Sequence, residues 1–187
     1  MHSKRYKSVI KKSLIHIKSC NDEKFLFNLK LAVYKLFYKN VIYIDESGFM
    51  ETDYLKFGYS RVGERCYASQ NTTCRKRINV IGALHNDKII SASLFKTSVT
   101  TDVFATWIKH DLFEVIPENS LVIMDRASFH DNKKIADLFK SNGHKILFLP
   151  RYTPEYNKIE KKWAELNTYY RSFRCDTYQL FQRILGD

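Results

Sequence analysis

Three acidic residues stand where the surrounding pattern can draw oxygen ligands together. Asp45 closes the run VIYID and Asp125 closes SLVIMD, each short, apolar and β-branched enough for a strand buried on both faces. Ligands gather at the carboxyl ends of strands in open α/β sheets, so these two acids can share one metal ion. Glu160 follows Ile159 and precedes Trp163 by three residues, so packing of that apolar stripe can turn it toward the sheet edge. Three hard oxygen donors from separate elements suit Mg²⁺ or Mn²⁺ and not structural zinc. Two such ions about 4 Å apart can activate an attacking oxygen and stabilise a leaving one during in-line displacement at phosphorus. Taken singly, each acid is an ordinary turn, cap or solvated helix residue, and only the combination carries chemistry.

The elements that must position them follow from the local pattern. Beyond Val41–Asp45, the runs Ile78–His85 and Lys88–Phe95, separated by Asn86 and Asp87, predict a hairpin. Thr101 or Asp102 is placed to cap a helix carrying Val103, Trp107, Ile108 and Phe113, which Pro117 closes. Ser120–Asp125 is the next strand; Asp131 then caps a helix that Gly143 stops, and Lys145–Pro150 is a further strand. A last helix is expected from about Glu155, with Ile159, Trp163 and Leu166 as its buried stripe. The order β-β-β-α-β-α-β-α is a three-stranded meander followed by alternating units, which predicts an α/β mixed sheet with helices on both faces, the ribonuclease H-like order. Glu46 should face away from Asp45 across the strand, in a supporting role.

Length and composition suit one globular domain: 187 residues, 44% hydrophobic and 27% charged. The formal charge of +11 draws the chain toward polyanions. No apolar run approaches the roughly 20 residues of a membrane span and the start lacks a signal-peptide stretch, so a cytoplasmic, nucleoid-associated protein with no membrane partner is expected. Cys20, Cys66, Cys74 and Cys175 are scattered without a CxxC pair, consistent with reduced thiols. Residues 1–40 read as a basic arm running into an amphipathic helix with Leu14, Ile15, Phe25, Leu29 and Val33 on its apolar side. That leaves 41–174 as the catalytic domain and 175–187 as a tail.

The blocks VIYIDESGF, INVIGAL, VIMDRASFH and FLPRYTPEYNKIEKKW resemble the motif series of the IS630 transposases, within the Tc1/mariner superfamily. The likeness covers about residues 41 to 170, and its last block is similar to the family pattern LPPYSPxLNPIExxW. The 34 residues from 126 to 159, between the second and third acids, match the spacing expected there. The resemblance implies a DDE transposase catalytic domain: Asp45, Asp125 and Glu160 as catalytic acids holding two Mg²⁺ or Mn²⁺ ions, metal-activated water cutting double-stranded DNA at transposon ends, and the freed 3′-hydroxyl attacking a TA target. Arg126, Arg151 and Lys158 depart from the family's Asn, Pro and Pro, each adding a cation; Arg126 can grip a DNA phosphate or compete with a metal ion. His130 matches the family's DNAxxH block and can position substrate, or cap or fill the core. Lys161 and Lys162 are candidates for phosphate contacts. Tyr152, Tyr156 and Trp163 can stack on bases, although Trp163 also fits the buried stripe. A helix-turn-helix module is expected on a partner chain or an upstream segment, and a homodimer on DNA is expected by analogy. The competing readings are a DNA-binding remnant without catalysis and an RNA-cleaving or repair nuclease on the same fold.

Overall fold

In the computed structural model, residues 21–50, 60–65, 77–126, 132–173 and 176–186 are described. His130, Asp131 and the four cysteines lie outside them. Helix α1 (Asn21–Phe37) leads into a five-stranded sheet of β1 (Asn40–Met50), β2 (Arg77–His85), β3 (Lys88–Phe95), β4 (Ser120–Met124) and β5 (Lys145–Phe148). Helix α2 (Thr101–Trp107) runs into a π-helical turn at Ile108–Leu112, and α3 (Asn132–Ser141), α4 (Ile159–Phe173) and α5 (Thr177–Gly186) complete the chain. The strands lie in the order β3-β2-β1-β4-β5. The first three form an antiparallel meander, while β4 and β5 run parallel to β1, as the element order predicts. Asn86 and Asp87, with φ of 47° and 63°, make the two-residue turn between β2 and β3.

Each face of the sheet buries its own core, because alternate residues of the central strands point to opposite sides. Tyr43, Leu121 and Ile123 pack with Phe27 of α1, Ile159 and Trp163 of α4, and Leu180 and Phe181 of α5. Ile42, Ile44, Val122 and Met124 pack with α2 and α3 on the other side. All five residues of β4 are buried, which explains their uninterrupted apolar run.

Several boundaries differ from expectation for identifiable reasons. β1 does not stop at Asp45: Glu46 to Met50 continue to pair with β2, and only the pairing with β4 ends at Ile44. Asp45 therefore stands at the end of the parallel ladder inside a longer strand. The α2 cap is Thr100, whose Oγ1 accepts from the Val103 N–H at 3.3 Å, one residue before the predicted caps. β5 ends at Phe148, although the Leu149 N–H still donates to the Met124 carbonyl. α4 begins at Ile159 because Pro154–Tyr156 form a separate 3₁₀ turn. The residues beyond 175 are not a trailing tail, since α5 buries Leu180 and Phe181 against the sheet.

Helix α1 also turns its other face inward. Phe27 is buried, with Leu31 and Tyr34 beside it, whereas the predicted apolar stripe of Phe25, Leu29 and Val33 is exposed. The helix is apolar on two sides, so periodicity alone does not choose between them.

One glycine sets how closely α4 approaches. Gly82 of β2 pairs with Asp45 in register, and a Cβ there would lie 2.5 Å from Cη2 of Trp163. Gly82→Ala must therefore displace the indole and is expected to cost about 1–3 kcal/mol of unfolding free energy. Urea denaturation of the two proteins checks this.

Candidate active site

Side-chain alternation decides the face on which each acid appears. Asp45 shares the side of β1 that carries Tyr43, and Asp125, one residue past β4, continues the side that carries Leu121 and Ile123. Both sides are covered by α4. Ile44 and Met124 are the last partners of the parallel β1–β4 pairing, so the two acids extend from adjacent strands at the same level. Glu160, in the first turn of α4, comes from above: Ile159, Trp163, Leu166 and Tyr170 bury the underside of that helix.

The three carboxylates line one cleft of about 600 Å³ together with Arg126, Leu149, Pro150, Arg151, Tyr152, Thr153, Pro154 and Asn157. Burial pushes the Asp45 carboxyl up to about 8, and the negative charge of Glu160, then of Asp125 and Glu46, adds to this against an opposing hydrogen bond from the Glu46 N–H. Like charges held this way are what a divalent cation relieves, and the all-oxygen donor set fits Mg²⁺ or Mn²⁺. Among the described residues, no three His, Cys, Asp or Glu side chains close into a ready-made metal cage. The acids line an open cleft, an arrangement that leaves coordination positions for water and a phosphate oxygen.

Asn157 ties the acids together, a role not anticipated from the sequence. It is buried, its Nδ2 donates to the Ile44 carbonyl at 3.4 Å, and its own carbonyl accepts from the Glu160 N–H at 3.2 Å. One residue thus joins the backbone beside Asp45 to the start of the Glu160 helix. Its Oδ1 is buried without a hydrogen-bond partner among the described residues. Asn157→Ala removes the bond and this orphan acceptor together, so it should cost only about 1 kcal/mol. Asn157→Asp, which loses the donor and adds a buried charge beside Asp45 and Glu160, should cost about 3 kcal/mol or more. Unfolding free energies of the two variants test that ranking.

The preceding loop is braced from outside by α1. Phe27 meets the Tyr156 ring edge-on at 5.4 Å, Asn28 donates to its hydroxyl at 3.2 Å, and Lys24 pairs with Glu155 at 3.2 Å. Tyr156 is thereby committed to packing, and Trp163 is 2% exposed in the core, so neither presents a ring for base stacking. Tyr152, at φ 58° and half exposed, lines the cleft.

Among the expected cations, Arg126 and Arg151 reach the cleft, and the Arg126 guanidinium lies 5.8 Å from the Phe148 ring centre. Lys158, Lys161 and Lys162 do not: they line a separate hollow with Leu84, Asp87 and Glu165. Lys158 lies over the Tyr43 ring at 5.8 Å, and Lys162 pairs with Glu165 at 2.9 Å. The helical turn that aims Glu160 at the acids directs Lys161 and Lys162 to other sides of α4, and Lys158 stands in the turn before that helix. Glu46 is half-buried on the opposite side of β1 from Asp45, as alternation predicts; burial raises its pKa, with Arg77 opposing. No described helix is long and apolar enough to cross a membrane.

The family model for DDE superfamily endonucleases matches residues 40–179. No curated protein gives a match. Among solved structures, the Mos1 mariner paired-end complex with Mn aligns with a TM-score of 0.73 at 16% identity, covering 96% of this chain and 59% of that one. The Mos1 paired-end complex with the left transposon end aligns at 0.72 and 16%, covering 96% and 58%. The Mos1 strand transfer complex aligns at 0.72 and 15%, with the same coverage. The chain thus shares the ribonuclease H-like α/β fold expected from its element order and spans a little under three-fifths of the Mos1 chains it matches.

Proposed function

The chain belongs to the DDE superfamily endonucleases, and on that footing we propose that it is the catalytic part of a transposase that cuts DNA strands and joins them to a target. The supporting observation is the convergence of Asp45, Asp125 and Glu160 on one cleft that Arg126 and Arg151 also line. The three carboxylates would hold two Mg²⁺ or Mn²⁺ ions, which when bound supply Lewis-acid activation of the attacking and leaving oxygens. Mos1 has been solved with either Mn or Mg. Asp45 and Asp125, fixed on adjacent strands, provide the rigid side of the site, and Glu160 completes it from α4. Arg126 and Arg151 neutralise the phosphate brought against these acids, and Leu149 and Pro150 form an apolar wall that limits water.

Within this reading, recognition of transposon ends falls to a helix-turn-helix partner or an upstream segment, and two copies act together on DNA. Double-stranded DNA is held here through phosphates, so affinity should fall steeply with salt.

Joining chemistry separates a transposase from a plain nuclease. A labelled duplex with a free 3′-hydroxyl, incubated with plasmid, Mn²⁺ and the protein, should become covalently attached to plasmid. Plasmid nicking with no attached label assigns the cleft to hydrolysis alone, and nicking confined to the RNA strand of a hybrid assigns it to an RNA-cleaving enzyme.

A further inference from the structure

The outward side of α1 carries an apolar surface with no cover among the described residues. Phe25, Leu26, Leu29, Val33, Leu36 and Phe37 are 69, 51, 51, 44, 79 and 73% exposed. This side lies opposite the one that braces the active-site loop through Phe27 and Asn28. Contiguous apolar surface of this kind marks a contact site.

The order of these residues identifies the partner. Leu26, Leu29, Val33 and Leu36 are spaced by three, four and three residues, the seam of a coiled coil. The set is also palindromic about Leu31: Phe25 mirrors Phe37, Leu26 mirrors Leu36, and Leu29 mirrors Val33. A two-fold axis beside Leu31 would lay this surface on itself in an antiparallel pair, matching each residue to an apolar one of the other copy. It also opposes the two helix dipoles favourably.

We propose that α1 pairs antiparallel with α1 of a second copy of this chain, in the register that places Leu29 against Val33. The contact is about 25 Å long and small for a permanent interface, so a dimer with Kd on the order of 1–100 µM is expected. This deepens the reading of two copies acting together by giving the pair a surface, yet it does not depend on the chemistry of the cleft.

Sedimentation equilibrium of the whole chain tests the pairing. Wild type should approach twice the 22.2 kDa chain mass as concentration rises, while Leu29→Glu and Val33→Lys should each be monomeric with unchanged melting temperature. An equimolar mixture of these two variants should regain the dimer, because only the antiparallel register sets Glu against Lys. A wild type that stays monomeric overturns the proposal, as does a Leu29→Glu protein that still dimerises or a mixture without recovery. A monomer whose melting temperature drops sharply in Leu29→Glu also overturns it, and assigns the surface to another segment of the same chain. Plasmid nicking by a wild type that is strictly monomeric would reject this pairing and leave the catalytic reading standing.

Discussion

Asp45→Asn is expected to stabilise the metal-free protein at pH 8 while weakening Mn²⁺ binding more than about 100-fold, opposite effects from one substitution. Burial and the charges of Glu160, Asp125 and Glu46 push the Asp45 carboxyl up to about 8 from an ordinary 3.8. A carboxyl raised in this way keeps its proton in the folded state over a range where the unfolded chain has lost it. Its stabilising contribution is therefore complete below about pH 4 and is lost as pH rises toward 8. Asn carries no charge at any pH, so the two proteins should be nearly equal at pH 4 and diverge as pH rises. The gap at pH 8 is expected to be about 2 kcal/mol, well under the limit set by 1.36 kcal/mol per unit because the cleft is open to solvent. On the proposed function Mn²⁺ would replace the proton in wild type, so its binding should release protons and tighten with pH; calorimetry in buffers of different ionisation enthalpy measures both. An Asp45→Asn protein less stable than wild type at pH 8 would contradict this account of the cleft.

Phe49→Ala should be the most damaging single change to the fold, costing about 3–5 kcal/mol. Phe49 is fully buried and lies on β1 four residues past Asp45, on the same side of the strand. Its ring meets those of Trp163, Tyr170 and Phe181 edge-on at 6.5, 5.8 and 5.4 Å, tying α4 and α5 to the strand that carries the first acid. A loss of this size consumes a large part of the 5–15 kcal/mol by which domains are stable. Phe49→Leu, which keeps most of the volume, should lose under half as much. Equilibrium urea unfolding of both variants provides the comparison, and equal losses would mean that aromatic packing at this point is not what holds α4 down.

The sequence was most informative where burial is complete. β4 and the first half of β1 are enclosed on both faces, so their composition announces them and places Asp45 and Asp125 at the same level. The α4 stripe was legible because Ile159, Trp163 and Leu166 repeat at helical spacing over one flat surface. Other features depend on contacts between segments far apart in the chain. The inward side of α1 is chosen by Tyr156, 128 residues from Asn28, and local periodicity carries no record of that choice. Gly82 and Asn157 look like ordinary strand and loop residues until Trp163 and the Ile44 carbonyl are set beside them. Lys161 and Lys162 adjoin Glu160 in sequence, but on a helix adjacent residues point in different directions, and Lys158, which stands at the Pro of the family's NPIE turn, lies just before that helix. The pattern over α5 is too weak in sequence to announce an element, and the helix is defined by its packing against residues such as Phe49 and Trp163.

The most direct test of the central claim is nicking of supercoiled plasmid in Mg²⁺ or Mn²⁺ by wild type and by Asp45→Ala, Asp125→Ala and Glu160→Ala, each first shown to unfold cooperatively and to bind plasmid. The account predicts metal-dependent nicking by wild type and a loss of at least about 1,000-fold in every variant, since each carboxylate contributes to one metal site. A folded variant that nicks like wild type, or a wild type that binds plasmid and leaves it intact with either ion, would contradict it.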